Sequence, residues 1–129
     1  MLAAMDPTRP LIAVLDDEPK LCKALARLLK THGFEVVTFT RGEEFLEACA
    51  SRLPNCLLLD LHMPGLNGFE VLERIAKRHV PALVITGHDQ PGNAQRVRAL
   101  GALDYFLKPV NELQLLAAIR AAIHHDQPR

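Results

Sequence analysis

The chain has 129 residues, enough for one domain with a single good core. It is 49% hydrophobic and 23% charged, an ordinary globular balance that argues against disorder. Lysine plus arginine equals aspartate plus glutamate at 15 each, so bulk charge gives no reason to expect nucleic acid or an anionic membrane as the main partner.

Residues 1–9 read as a polar N-terminal arm. No secretory leader and no apolar run of membrane-spanning length is evident, and the three scattered cysteines, Cys22, Cys49 and Cys56, read as reduced, buried thiols. A cytoplasmic protein is the expectation.

From Pro10 onward, strand-like and helix-like segments alternate. "LIAVL" (11–15) is a short continuous apolar run. It meets three consecutive acids, Asp16, Asp17 and Glu18, and then Pro19, which suits a first helical position. Leu21, Leu25, Leu28 and Leu29 recur at helical spacing until Gly33 stops the helix.

"FEVVTF" (34–39) reads as a second strand, and Thr40 with Glu43 as a capping box for a short helix through Ala50. "CLLLD" (56–60) is the most apolar strand and again ends on an acid. A Pro/Gly loop follows, and Asn67 with Glu70 caps a third helix carrying Phe69, Leu72 and Ile75 on one side.

"ALVIT" (82–86) is the fourth strand, "GHDQPGN" a loop, and Ala94 to Leu100 the fourth helix, stopped by Gly101. "DYFLK" (104–108) reads as strand five. Asn111 with Gln114 caps a last helix that is expected to pack through Leu113, Leu116, Ile119 and Ile123.

Five strands alternating with five helices predict an α/β, doubly wound parallel sheet covered on both faces, which explains why the central strands are apolar throughout. No repeat, low-complexity tract or second domain is evident. The domain is read as residues 10–125, with 126–129 as a tail.

Such sheets bind ligands at the carboxyl ends of their strands. This chain places there Asp16 and Asp17 from strand one, Asp60 from strand three, Thr86 from strand four and Lys108 from strand five. Strand two offers Thr38 and Thr40. Any one of these aspartates taken alone reads as a helix cap. Together they are a phosphate-handling and hard-cation set. Converging carboxylates repel unless a cation or proton intervenes, and an all-oxygen site suits magnesium. With no activated serine or cysteine, a carboxylate is the expected nucleophile in a phosphoryl transfer.

The segments "LDDEP", "LLLDLHMPGLNGFEVL", "VITGH" and "GALDYFLKP" resemble, in that order, the response regulator receiver family of two-component signalling. The likeness spans about residues 10 to 125. It implies the flavodoxin-like, CheY-like (βα)5 fold with strand order 2-1-3-4-5. It also implies that Asp60 accepts a phosphoryl group from a sensor histidine kinase or phosphotransfer protein. Asp16 and Asp17, Asp60 and the backbone carbonyl of His62 would hold Mg2+.

Thr86, Gly87 and Lys108 would surround the phosphoryl group, with Thr86 and Tyr105 as the switch pair and a cis bond before Pro109. Pro64 and Gly68 match the loop after the acceptor. A face formed by helix four, strand five and helix five, including Arg96, Arg98 and Tyr105, would bind a downstream protein or a second copy. Neither membrane nor direct nucleic-acid binding is expected of this chain. Its intrinsic chemistry would be autophosphorylation and autodephosphorylation, not turnover of a separate substrate.

His62 and His88 each lie two residues beyond a site residue. Both read first as solvated rim histidines; the sharper alternative is that they tune attack of water on the acyl phosphate. "AKRHVPA" is short for the family, which bears on where the third helix ends.

"VITGH" and "GALDYFLKP" are especially similar to receivers that precede DNA-binding domains, as in the FixJ group. The termini nevertheless favour a stand-alone receiver. Two rival classes remain. An aspartyl phosphatase of the haloacid dehalogenase type would want an Asp-x-Asp motif and a late acidic pair, whereas here the pair comes first and His62 fills the third position. A pseudo-receiver would have lost the acids or the lysine, and none is lost.

Overall fold

The computed structural model describes residues 9–125; the N-terminal arm up to residue 8 and the tail 126–129 lie outside the described residues. Five strands form one parallel sheet in the order β2-β1-β3-β4-β5. They are β1 (Leu11–Leu15), β2 (Glu35–Phe39), β3 (Cys56–Leu59), β4 (Ala82–Thr86) and β5 (Asp104–Leu107). The connecting helices are α1 (Pro19–Thr31), α2 (Gly42–Ala48), α3 (Gly68–Ile75), α4 (Asn93–Ala99) and α5 (Glu112–His125). This is the doubly wound arrangement that the alternation of elements predicts.

The period of two in the strands splits the core into two layers. Ile12, Val14, Leu58, Leu83 and Ile85 point to the side covered by α1 and α5, where Leu25, Leu29, Leu115 and Ile119 meet them. Ala13, Leu15, Leu57, Leu59 and Val84 point the other way, against Phe45, Phe69, Leu72 and Val97 of α2, α3 and α4. β1, β3 and β4 are buried along their whole length. Each fully buried leucine contributes about 2 kcal/mol of transfer free energy. The three cysteines are buried free thiols.

Helix boundaries follow local chemistry where that chemistry is strong. Pro19 opens α1, and Gly33, at φ 91°, ends its exit turn. Asn67 and Glu70 make both bonds of a capping box: Asn67 Oδ1 accepts from Glu70 N and Glu70 Oε1 from Asn67 N, each at 3.0 Å. Asn111 Oδ1 accepts from Gln114 N at 2.9 Å. After α3, a 3-10 turn (Ala76–Arg78) and His79 in the left-handed region at φ 57° carry the chain into β4, so the short connection is taken up by tight turns.

Three expectations about the helices are corrected. Thr40 does not cap α2: Arg41 holds the N-cap position without a side-chain cap bond, and Glu43 turns instead to Arg41 Nη2 (3.5 Å) and Leu66 N (3.4 Å). Tertiary packing sets this start, because a Cβ on Gly42 would sit 3.1 Å from Leu66 O in the loop before α3 and 2.9 Å from Val71 Cγ2 of α3 itself. α2 also ends at Ala48, short of Ala50.

Leu113 does not pack: it is 79% exposed, while Leu115 is fully buried. At 100° per residue Leu113 lies about 120° around α5 from Ile119, off the stripe formed by Leu115, Leu116, Ile119, Ala122 and Ile123.

Candidate functional site

The carboxyl edge of the sheet collects its polar residues one strand at a time. Asp16 follows β1 and is 3% exposed. Its backbone stays in the sheet, Asp16 N donating to Phe39 O at 3.0 Å. Its two carboxylate oxygens are both committed. Oδ1 accepts from Glu18 N (2.9 Å), turning the chain into α1, and Oδ2 meets Lys108 Nζ at 2.8 Å. Asp17, next in line, is exposed.

Asp60 follows β3, is 5% exposed, and keeps its backbone in register through Asp60 N to Leu15 O at 3.0 Å. Each of Asp16, Asp17 and Asp60 offers one oxygen, and those three oxygens lie within 4.8 Å of one another. Burial pushes the Asp60 carboxyl up to about 6, and the charges of Asp16 and Asp17 push the same way. Lys108 and a hydrogen bond from the His62 backbone amide oppose them. The donor set is three hard oxygens from three carboxylates, which fits magnesium and would relieve their repulsion.

Lys108 follows β5, its backbone N donating to Thr86 O at 2.8 Å. Its ammonium lies 2.8 Å from Asp16, 3.0 Å from Glu18 Oε1 and 4.0 Å from Asp60 Oδ1. Burial alone would lower its pKa, but bonds to Asp16 and Glu18 and the charge of Asp60 outweigh burial and raise it to about 12. The Lys108–Pro109 peptide bond is cis. Thr86 is fully buried, and its Oγ1 accepts from His88 N at 3.1 Å. Gly87 is exposed, and a Cβ there would come no closer than 3.6 Å, to Lys108 Cδ. Its openness is therefore not enforced by crowding.

Gly68 is enforced. A Cβ would lie 2.5 Å from Asp60 O and 2.7 Å from Leu61 Cα, so only glycine lets α3 begin directly against the backbone that follows β3. Tyr105 is half-buried on β5, in register with Val84, and its hydroxyl donates to Asp89 Oδ1 at 2.8 Å.

The two histidines meet. The rings of His62 and His88 stand edge to face, 4.7 Å between centroids and 77° between planes. His62 Nε2 is buried and has no hydrogen-bond partner, so the expectation of a solvated rim residue is corrected for His62; the exposed His88 fits it.

The site thus brings together Asp16, Asp17, Asp60 and Lys108 from three strand ends, with Thr86 bonded to the Lys108 backbone. Tyr105 stands apart on β5, held by Asp89. Sequence reasoning gave no role to Glu18, Asp89 or Asn93. Glu18 belonged to a visible run of acids, but its partner is 90 residues away. Nothing local distinguishes Asp89 or Asn93 from other loop polar residues.

A family model for the response regulator receiver domain matches residues 12–120. The chain is 36% identical over 121 residues to the DNA-binding transcriptional regulator NtrC of Escherichia coli (strain K12), covering 92% of this chain and 26% of that one. It is 35% identical over 123 residues to the transcriptional regulatory protein FixJ of Bradyrhizobium diazoefficiens, covering 94% and 60%. This chain therefore spans between about a quarter and three-fifths of the length of these relatives.

Among solved structures, a response regulator receiver protein from Burkholderia phymatum is 37% identical with a TM-score of 0.82, over 90% of this chain and 96% of that one. A CheY-like receiver domain protein from Methanospirillum hungatei is 26% identical with a TM-score of 0.87, over 92% and 97%.

Proposed function

The chain belongs to the response regulator receiver family of two-component signalling, and on that premise we propose that it accepts a phosphoryl group on Asp60 and uses the added charge to reshape its α4-β5-α5 face. One observation carries this reading. A buried carboxylate, the Asp60 side chain, shares a 4.8 Å cluster with two further acids while a lysine ammonium stands 4.0 Å away. That is a nucleophile with a charge-neutralising surround.

The donor is a phosphohistidine of a sensor kinase or phosphotransfer protein. An Asp60 carboxylate oxygen attacks phosphorus, the P–N bond breaks, and the leaving imidazole keeps the bonding pair and takes up a proton. The product is an acyl phosphate on Asp60. When bound by Asp16, Asp17, Asp60 and the His62 backbone carbonyl, magnesium supplies positive charge against the crowded carboxylates and phosphoryl oxygens.

Lys108 can turn from Asp16 toward the phosphoryl group, and the Thr86 hydroxyl proton is free to be donated to it, since His88 N occupies only an acceptor position of Oγ1. Gly87 leaves the approach open. Tyr105 then follows Thr86, and the face carrying Arg96 and Arg98 changes for a downstream protein or a second copy.

His62 and His88, packed ring against ring beside this site, set how readily water reaches the acyl phosphate. The working compartment is the cytoplasm; among the described residues no helix is long and apolar enough to cross a membrane. The relatives are DNA-binding or transcriptional regulators of greater length, so a receiver working within a larger regulator is as compatible with this mechanism as a stand-alone one.

The test is intact mass after incubation with acetyl phosphate and magnesium. One phosphoryl adduct that needs the metal and is lost in Asp60→Ala supports the reading. A folded chain that gains no adduct under any condition would instead be a phosphorylation-independent interaction module.

A further inference from the structure

The loop between β4 and α4, residues 87–92, is fastened at both of its switch residues. At one end His88 N donates to Thr86 Oγ1 at 3.1 Å. At the other the very next residue, Asp89, accepts from the Tyr105 hydroxyl at 2.8 Å. A third tie comes from the first residue of α4: buried Asn93 donates through Nδ2 to His88 O (3.4 Å) and through its backbone N to Gln90 O (3.1 Å). Thr86 and Tyr105, on neighbouring strands, are therefore mechanically joined through two adjacent loop residues.

We propose that Asp89 is a positioning residue that restrains the switch. Its bond to Tyr105 holds the loop and the ring in the arrangement described above, and that bond must be given up when Thr86 is drawn toward a phosphoryl group on Asp60. The inference rests on the phosphoacceptor reading of Asp60.

The physical argument is one of geometry and linkage. A hydroxyl has one proton and two acceptor positions. Thr86 can donate to a phosphoryl oxygen while still accepting from His88 N, so the His88 backbone travels with it. Asp89 is one peptide unit further on. A loop displacement of more than about half an ångström takes a 2.8 Å bond out of hydrogen-bonding range. The Asp89–Tyr105 bond thus stabilises one of the two arrangements only, and differential stabilisation of that kind is what sets the balance between them. By reciprocity, removing it favours the phosphorylated arrangement.

The chain offers a direct readout. Tyr105 is its only tyrosine, and it has no tryptophan, so intrinsic ultraviolet emission reports this one ring. A carboxylate accepting from a phenol quenches that emission.

Three variants separate bond from charge. Asp89→Ala removes both, Asp89→Asn removes the charge but keeps an acceptor oxygen, and Tyr105→Phe removes the bond and keeps the charge. Expected are brighter emission in Asp89→Ala without any phosphodonor, and adduct formation from acetyl phosphate about three- to tenfold faster in Asp89→Ala and in Tyr105→Phe. The double variant should be no faster than either single one, and Asp89→Asn should lie nearer the wild type.

Should Asp89→Ala fail to fold by circular dichroism, Tyr105→Phe alone carries the test, through its rate. Unmoved emission, unmoved rates, or acceleration in Asp89→Ala with none in Tyr105→Phe overturns the restraint while leaving a wild-type adduct intact. A wild-type chain that gains no adduct overturns the phosphoacceptor reading and the restraint with it.

Discussion

The ammonium of Lys108 is bonded to Asp16 at 2.8 Å and not to Asp60, whose nearest oxygen is 4.0 Å away. Without an added charge on Asp60, the lysine neutralises the Asp16 side of the carboxylate cluster, and Glu18 shares it at 3.0 Å. Lys108 is therefore a structural counter-ion to Asp16 and Glu18.

Lys108→Ala leaves two buried carboxylates without their cation. We expect a loss of about 3 kcal/mol at neutral pH, the usual order for stripping one partner from a buried ion pair. Acidification below the carboxylate range, or millimolar magnesium, should recover most of it. Urea unfolding at both pH values, with and without the metal, checks this; an equal loss under all conditions would assign the effect to packing alone.

Asp60 itself works against the metal-free fold. Its pKa is raised from 3.8 to about 6, so its contribution is fully present below 3.8 and is lost as pH rises through 6. That difference corresponds to roughly 3 kcal/mol as an upper figure. Asp60→Asn should accordingly be more stable than the wild type in chelator at pH 7.5, with the gap closing toward pH 4. Magnesium should stabilise the wild type far more than the variant. Thermal unfolding across that pH range reads both effects.

Gly68→Ala should cost about 3 kcal/mol, because the new Cβ would overlap the backbone of Asp60 and Leu61, which cannot swing aside as a side chain could. Gly87→Ala, where the nearest atom is a lysine methylene at 3.6 Å, should fold normally. Equal stability of the two variants in denaturant would contradict the crowding at α3.

The two leucines of α5 should behave oppositely. Leu115→Ala empties a fully buried position and is expected to cost about 2–5 kcal/mol; Leu113→Ala, on an exposed position, should stay within about 0.5 kcal/mol. Paired unfolding curves decide it.

The Tyr105 phenol titrates above 10, chiefly through burial and secondarily through its bond to Asp89. Asp89→Ala should move the midpoint down without bringing it to the free value, since the larger cause remains. Absorbance titration of the single tyrosine measures this directly.

The amino-acid sequence by itself determined the element order, the two-sided burial of the central strands and the residues at the carboxyl edge. These are local properties: periodicity, capping pairs such as Asn67 with Glu70, and the residue that ends each apolar run. Only the tertiary structure decided how those edge residues divide their charge. Lys108 and Glu18 are 90 positions apart, and only the strand order and register bring that lysine to Asp16 before Asp60.

The same holds for Asp89 under the Tyr105 hydroxyl, for the covered nitrogen of His62, and for the start of α2, where packing against the loop before α3 displaced a plausible Thr40 cap. Periodicity fixes which face of an element is buried, because it depends on the chain's own geometry. Pairing between side chains at the sheet edge depends on distances that exist only once five strands are assembled.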